Sequence, residues 1–212
     1  MRQRIGLFHF AFFLVIVVVA ASGCAVVQQM QDALVNVRRL QFKLDSVMPG
    51  SLAGVNLAKV SEPTNLSVQD GLKLATAFAQ KSLPLSWTLN VAAVNPNDGT
   101  GGSPKKTATL TSLSWILKIE ETETIAGNIA SPIDIPGTGE ATIIPLQMTL
   151  DLYEFFGDRG YKDVLHLALA IAGQKGSASR LALVATPEVE VGGIKLKYPG
   201  QITIVDKEFT NP

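Results

Sequence analysis

Cys24 is the residue whose type and position most directly suggest chemistry. It is the only cysteine in the chain, so a disulfide within one molecule and a cluster of thiolate metal ligands are both excluded. The residues before it, Ala21-Ser22-Gly23, are all small, and small residues allow a chain to extend into a peptidase. We therefore interpret the Cys24 thiol as an acceptor of a lipid group rather than as a catalytic nucleophile.

A basic start and an apolar run precede this cysteine. Arg2 and Arg4 are followed by a run of roughly 17 residues from Ile5 to Ala21, the pattern of a secretory signal. Ala-Ser-Gly-Cys resembles the lipobox of bacterial lipoproteins, with alanine where that motif usually has Leu, Val or Ile. The resemblance implies that residues 1–23 are removed and that Cys24 is lipidated. A retained membrane helix is the alternative, because the run is just long enough to span a bilayer.

The expected location follows from the anchor. A bacterial lipoprotein carries at least two acyl chains, which hold it stably on a membrane where one chain would not. Ala25 follows the cysteine, whereas aspartate at this position retains lipoproteins of Gram-negative bacteria at the inner membrane. The sequence thus favours the outer membrane in such a cell, on its periplasmic or surface side.

Other catalytic groups are sparse. His166 is the only histidine after processing, and its spacing from Lys162 predicts a solvent-facing position. Asp158 and Asp163 are near it in sequence, but the chain has no Gly-x-Ser-x-Gly motif, so a serine triad has little support. A hydrolase with a reactive serine near His166 is the enzymatic alternative, and we expect no enzyme.

The sequence predicts no metal and no cofactor. Zinc needs several closely spaced ligands, and one histidine without a free cysteine cannot supply them. Asn95, Asn97 and Asp98 could offer oxygen ligands to calcium, but their tendency to form turns explains them without an ion. Gly99-Thr-Gly101-Gly102 is predicted to lie between two strands and so is not a nucleotide-binding loop.

Composition further limits the classes of partner that the protein could bind. The chain has 212 residues and a net charge of +0 at pH 7, and 47% of its residues are hydrophobic. It lacks a long basic block, so nucleic acid is not an expected partner. It is apolar enough to bury a core, so global disorder is excluded. The expected partners are a membrane, reached through the lipid, and components of the cell envelope, while the ligand stays unknown.

Alternating apolar residues predict most of the elements. Phe42 and Leu44 begin a strand, Pro49-Gly50 suggests a turn, and a second strand follows over 52–60. Ser67 is the expected cap of a helix whose apolar positions are Leu72, Ala75 and Ala79, flanked by Leu74 and Phe78. This helix is expected to pack on a sheet.

The clearest strands are 84–94 and 108–120. They are predicted to form a hairpin, in which the first strand stops at Asn95-Pro96-Asn97 and residues 98–106 form the tip. Trp87 and Trp115 are expected to be inward-facing core aromatics on neighbouring strands. Pro145 predicts an edge position or a bulge in a strand over 141–150. About eight to ten short strands with two or three helices indicate a mainly β protein, a fibronectin-III/immunoglobulin-like β-sandwich with packed helices.

A helix over 161–172 is unusually apolar. It is expected to close an end or an open side of the sandwich, either as a packed plug or as a lid over an apolar cavity. Val164, Leu167 and Ile171 would line such a cavity. We divide the chain into a signal (1–23), a lipidated anchor with a solvated tether (24–38), and one domain (39–212) with a helical insert near 151–173.

Several motifs together resemble a known family. They are Phe42-Lys-Leu44, the strand Leu85-Ser-Trp87-Thr-Leu89-Asn-Val91 with its Asn95-Pro96-Asn97 end, Leu113-Ser-Trp115-Ile-Leu117, and Gly127. This pattern resembles the LEA14-like (group 2 late embryogenesis abundant, WHy domain) proteins over about 42–209. The resemblance implies a fibronectin-III-like sandwich without catalytic residues, and a role in stress protection or as an interaction module. A carrier of apolar ligands such as lipids is the alternative.

Overall fold

The computed structural model describes residues 30–31, 34–60, 63–100, 105–172, 181–198 and 200–205. In these ranges the strands are β1 (Gln41–Leu52), β2 (Val55–Asn56), β3 (Pro84–Val94), β4 (Ala108–Ile119), β5 (Thr122–Gly127), β6 (Ile133–Ile135), β7 (Ala141–Asp151), β8 (Leu181–Val191), β9 (Ile194–Lys197) and β10 (Ile202–Ile204). The helices are α1 (Val68–Ala79), α2 (Leu152–Phe156) and α3 (Tyr161–Ile171), with single 3-10 turns at Pro63–Asn65 and Gly157–Arg159. Residues 34–38 are also helical.

The strands form two antiparallel sheets, which confirms the predicted β-sandwich with packed helices. The first sheet has the order β2-β1-β3-β7 and the second the order β10-β8-β4-β5, with β6 beside β4 and β9 beside β8. Apart from the strands of two to four residues, three strands of the first sheet (β1, β3 and β7) face three of the second (β8, β4 and β5). The backbone N–H of Leu44 donates to the carbonyl of Val205 at 3.0 Å, so the two sheets meet along β1 and β10.

The core lies between the sheets and is built by alternation along each strand. In β3, Leu85, Trp87, Leu89 and Val91 are at most 3% exposed, as a period of two predicts for a strand with one inward face. The inward residues of both sheets and the apolar residues of α3 belong to one continuous cluster.

All the labelled helices lie at the same end of the sandwich. β1, β4 and β7 finish there and β3 and β8 begin there, and an ion pair at 2.6 Å between Arg159 and Glu120 joins the helices to the end of β4. We call this the helical end. At the opposite end, Asn95 and Asn97 follow β3 and residues 34–38 precede β1. We call that the asparagine end.

The turn expected at Pro49-Gly50 is wrong. β1 continues through it to Leu52, with a register shift between Pro49 and Ser51. The bulge accommodates a proline that has no N–H, and a Cβ at Gly50 would overlap the Ser86 carbonyl. The real turn is Ala53-Gly54, where both residues have positive φ, as a type I′ hairpin requires.

The hairpin expected between β3 and β4 is also wrong. β3 lies in the first sheet and β4 in the second, so the connection passes from one layer to the other. Trp87 and Trp115 therefore face inward from different sheets rather than from neighbouring strands. Both side chains are buried, at 3% and 6% exposed, as expected for core aromatics.

The helical insert connects β7 of the first sheet to β8 of the second. Asp151 caps α2 by accepting a hydrogen bond from the N–H of Tyr153 at 3.0 Å. α3 begins at Tyr161, where the sequence predicted it, and ends at Ile171. Its position at the helical end agrees with the predicted role of closing one end of the sandwich.

Candidate functional site

The predicted lipidation site lies outside the described residues. This applies to Cys24 and to the whole apolar run before it. Among the helices that the structure describes, none combines the length and apolarity needed to cross a membrane.

The three residues predicted to line an apolar cavity are brought together on the inner side of α3. Val164 and Ile171 have no accessible surface and Leu167 is 4% exposed. Packed side chains have this degree of burial, whereas the walls of a cavity large enough for solvent keep some accessible surface. An acyl chain could reach these residues only if α3 moved away from the sheets.

An aromatic joint, formed by Phe78, Tyr153 and Tyr161, holds α1 against the other helices. The Phe78 ring lies edge-on to Tyr153 and to Tyr161, with centroids 5.0 and 5.5 Å apart, and such pairs stabilise beyond the area they bury. Burial raises the pKa of the Tyr161 phenol above its ordinary value. The joint is therefore a packing contact between aromatic rings.

The face of α1 that packs inward is not the one predicted. Leu74 is fully buried and Phe78 is half-buried, whereas Leu72 is 68% exposed and Ala75 and Ala79 are also exposed. The prediction of the Ser67 cap is confirmed, since its Oγ accepts from the N–H of Asp70 at 3.1 Å. α1 thus keeps an outward apolar row with Val68, 92% exposed, at its start.

The most elaborate polar arrangement is at the asparagine end, and we call it the asparagine cluster (Asn36, Arg39, Asn95 and Asn97). Asn95 is 0% exposed, and its Nδ2 donates to the carbonyls of Lys106 and Ile135, both at 2.9 Å. One side chain thereby connects the end of β3, the start of β4 and β6. Because both donors of this buried amide are satisfied, its hydrogen bonds hold the connection between β3 and β4 in one geometry.

Asn97 extends the cluster to the N-terminal segment. Its Nδ2 donates to Asn95 Oδ1 at 2.8 Å and to the Asn36 carbonyl at 3.1 Å. Arg39 Nη1 donates to Asn97 Oδ1 at 3.4 Å. Asn36 and Val37 are buried, at 3% and 2% exposed, so the prediction of a solvated tether is wrong for these residues.

The side-chain oxygens of this loop already accept hydrogen bonds from the protein. Asn95 Oδ1 accepts from the backbone N–H and Nδ2 of Asn97. Asp98 accepts from the Thr100 hydroxyl at 2.7 Å and from its N–H at 2.9 Å, and these bonds lower the pKa of the Asp98 carboxyl. No group of three or more His, Cys, Asp or Glu side chains suited to a metal ion occurs in the described ranges.

His166 lies where the sequence predicted, on the exposed side of α3. Within the described part of the chain it has neither a hydrogen bond nor an ion pair, so Asp158 and Asp163 do not orient it. A serine triad needs a histidine held by an acid and in contact with a nucleophile, and no such arrangement is present among these residues.

Sequence reasoning missed Asn36 and Arg39 as members of the asparagine cluster. Their contacts with Asn97 span 61 and 58 positions, and no local spacing signals such a pair. The sequence indicates turn formation for Asn95 and Asn97 and does not predict that their side chains are buried. Their burial could have been suspected from the apolar residues on both sides of the loop.

Comparisons with known proteins give similar structures but no family. No protein-family model matches the sequence, and no curated protein matches it. A crystal structure from Archaeoglobus fulgidus has 12% identity and a TM-score of 0.32, covering 61% of this chain and 86% of that one. A solution structure from Arabidopsis thaliana has 9% identity and a TM-score of 0.36, covering 81% of each chain. These values are too low to support an argument about family or function.

Proposed function

We propose that this protein is a non-enzymatic, lipid-anchored protein of the cell envelope with a LEA14-like domain. The observation that carries the proposal is the junction Ala21-Ser-Gly-Cys24 at the end of an apolar run with a basic start. The asparagine cluster supports it, because it attaches the domain to the chain shortly after Cys24. In this proposal the domain protects envelope components under stress or binds them.

The position of the tether favours one orientation of the anchored domain. About 11 residues separate Cys24 from Asn36, a span of at most about 40 Å when extended. The 11 residues of β7 extend for about 36 Å along the sandwich. We place the asparagine end nearest the membrane, with the helical end facing away from it, because the tether joins the domain at the asparagine end.

The choice of membrane follows from Ala25. Without aspartate after the cysteine, the proposed site in a Gram-negative cell is the outer membrane. A domain held there by two or more acyl chains stays membrane-bound. Its helical end is then the part that is presented to soluble or opposing partners.

Metabolic labelling with a radioactive fatty acid tests the anchor. The wild-type chain should take up label and run as the processed form, whereas Cys24→Ser should take up none and accumulate unprocessed, because it has lost the thiol acceptor. Ser22→Ala is the matched control, since it keeps a small residue at the junction and should be labelled normally. An unlabelled wild-type chain, or a labelled Cys24→Ser chain, would refute lipidation.

A carrier of apolar ligands is the second candidate function. The feature that favours it is α3, whose inner side is formed by six buried apolar residues: Val164, Leu165, Leu167, Ala168, Leu169 and Ile171. A helix of this kind either fills space permanently or covers space that a ligand can enter. The two cases differ in whether lipid accompanies the purified protein.

A further inference from the structure

β7 is an edge strand of the first sheet. One hydrogen bond shows which of its residues bond to β3 and which point away from it. The N–H of Leu152, just beyond the strand, donates to the Leu83 carbonyl at 3.0 Å. Because hydrogen-bonded positions alternate along an antiparallel pair, the even-numbered residues of β7 bond to β3. The backbone groups of the odd-numbered residues therefore point to the free edge.

The position of Pro145 is consistent with this assignment of outward residues. It lies opposite Asn90 in a pairing that runs over all of β7 without a register shift. Because 145 is an outward position, the missing N–H of the proline removes no bond to β3. The predicted edge position of Pro145 is thus confirmed and the alternative of a bulge is not needed.

The free edge is long and has unused donors. Among the described residues, the backbone N–H groups of Ile143, Gln147 and Thr149 have no hydrogen-bond partner. The strand at the other edge of the first sheet, β2, has 2 residues, against 11 in β7. A row of unpaired backbone groups along an edge is a template for another strand.

The side chains of the edge define what can dock there. From Ala141 to Leu150 the strand carries no charged residue, and Ile143 is 45% exposed on the outer face. Strands commonly protect such edges with charges, whereas here Pro145 is the one interruption. An added strand with apolar side chains would cover Ile143 without leaving a buried charge unpaired.

A second copy of the chain fits this edge poorly. Antiparallel self-pairing about Leu146, the middle of β7, would place each Pro145 opposite Gln147 of the other copy, so that two cross-strand hydrogen bonds would lack a donor. A heterologous strand would lose only the one hydrogen bond at the Pro145 of this chain.

We propose that the β7 edge is a docking site for an extended, uncharged peptide segment of another protein, which adds to the first sheet as a further strand. A strand opposite residues 143–149 would make about seven backbone hydrogen bonds, two at each outward residue and one at Pro145. Backbone bonds supply affinity in such complexes and alternate side chains supply selectivity. The site does not depend on lipidation and would operate in an unanchored chain.

Amide exchange in the full-length chain in detergent, measured by nuclear magnetic resonance, is the first test. The amides of Ile144, Leu146, Met148 and Leu150 should be protected. Those of Ile143, Gln147 and Thr149 should exchange at least about tenfold faster, because hydrogen-bonded amides exchange only on opening. Equal protection of both sets would mean that the edge is already covered and would overturn the proposal.

Peptide binding is the second test. The probe is a capped peptide of about nine alternating threonine and valine residues with a lysine at each end, the length that matches residues 141–149. Binding should slow exchange at Ile143, Gln147 and Thr149 specifically. Gln147→Pro should weaken binding about tenfold or more, because it removes an outward donor, whereas Gln147→Val, which keeps that N–H, should bind normally. Equal binding by the two variants, slowed exchange elsewhere only, no binding at millimolar peptide, or a dimer of the free chain that uses β7 would each refute the proposal.

Discussion

Gly127 shows how one residue can be required by the ring beside it. It is the direct cross-strand partner of Trp115, and a Cβ at this position would overlap the indole of that tryptophan. The ring lies across the place where a side chain would be and covers the backbone of β5. The glycine among the family-like motifs therefore has a packing reason.

Gly127→Ala should lower the free energy of unfolding by about 1–3 kcal/mol, the usual cost of overpacking. Gly71→Ala is the matched control. Gly71 lies inside α1 and a Cβ there would meet nothing within 4 Å, so alanine should stabilise by about 0.5–1 kcal/mol through helix propensity. Urea unfolding measures both, and a shift in the same direction for the two variants would contradict the assigned contact.

Residue types were predictable where the pattern is local. Alternation identified Phe42, Leu44 and Leu89 as inward residues, and each is fully buried. The same argument could not find that Asn95 donates to Ile135, 40 residues away, because a long-range hydrogen bond leaves no periodic trace in the sequence.

At the scale of elements, type was easier to predict than orientation. The limits of α1 and α3 were predicted within a residue or two, but the inward face of α1 was not. Leu72 and Leu74 both belong to apolar rows at helical spacing, and a short helix with two such rows can pack on either. The aromatic joint around Phe78 selects the row that contains Leu74.

Leu74→Ala should destabilise the protein by about 2–5 kcal/mol, since it removes a fully buried side chain. Leu72→Ala should change the stability by less than about 0.5 kcal/mol, because its side chain is 68% exposed. The two variants carry the same substitution two residues apart in one helix, so propensity cancels. Similar unfolding midpoints would show that α1 packs differently.

Strand pairing was the least predictable property of the elements. Two strong strands separated by a polar loop predict a hairpin, yet β3 and β4 lie in different sheets. The asparagine cluster holds the crossover in place, because Asn95 donates hydrogen bonds to the carbonyls of Lys106 and Ile135. A local pattern cannot distinguish the two outcomes, because both use the same turn residues.

The whole molecule is organised along its long axis, and the asparagine cluster is the joint that attaches it to the N-terminal segment. Asn97→Ala removes the donors to Asn36 and Asn95 and should cost about 1–3 kcal/mol, because buried carbonyls lose their partners. It should also speed proteolytic cleavage within residues 34–40. Lys105→Ala, an exposed change in the same connection, should do neither, and unchanged cleavage in Asn97→Ala would mean that the joint is held by other contacts.

The packing of α3 at the helical end distinguishes the non-enzymatic envelope protein from the carrier of apolar ligands. In the first case α3 is a permanent part of the core, and in the second it is a movable cover. Leu167→Ala separates these physically. In a packed core it should cost about 2–5 kcal/mol, whereas a side chain that faces a ligand-sized space has already lost most of its contacts and its removal should cost less. The full burial of Val164 and Ile171 leads us to expect the larger value.

Native mass spectrometry of the chain from residue 25 tests whether lipid accompanies the purified protein. A packed α3 predicts a single apo mass and no uptake when a fatty acid is added, because an acyl chain would have to displace side chains that have no accessible surface. Lipid that co-purifies, together with a small cost for Leu167→Ala, would instead support the carrier function. In that case, exchange protection in α3 should rise when lipid binds, since a cover that closes over a ligand opens less often than an empty one.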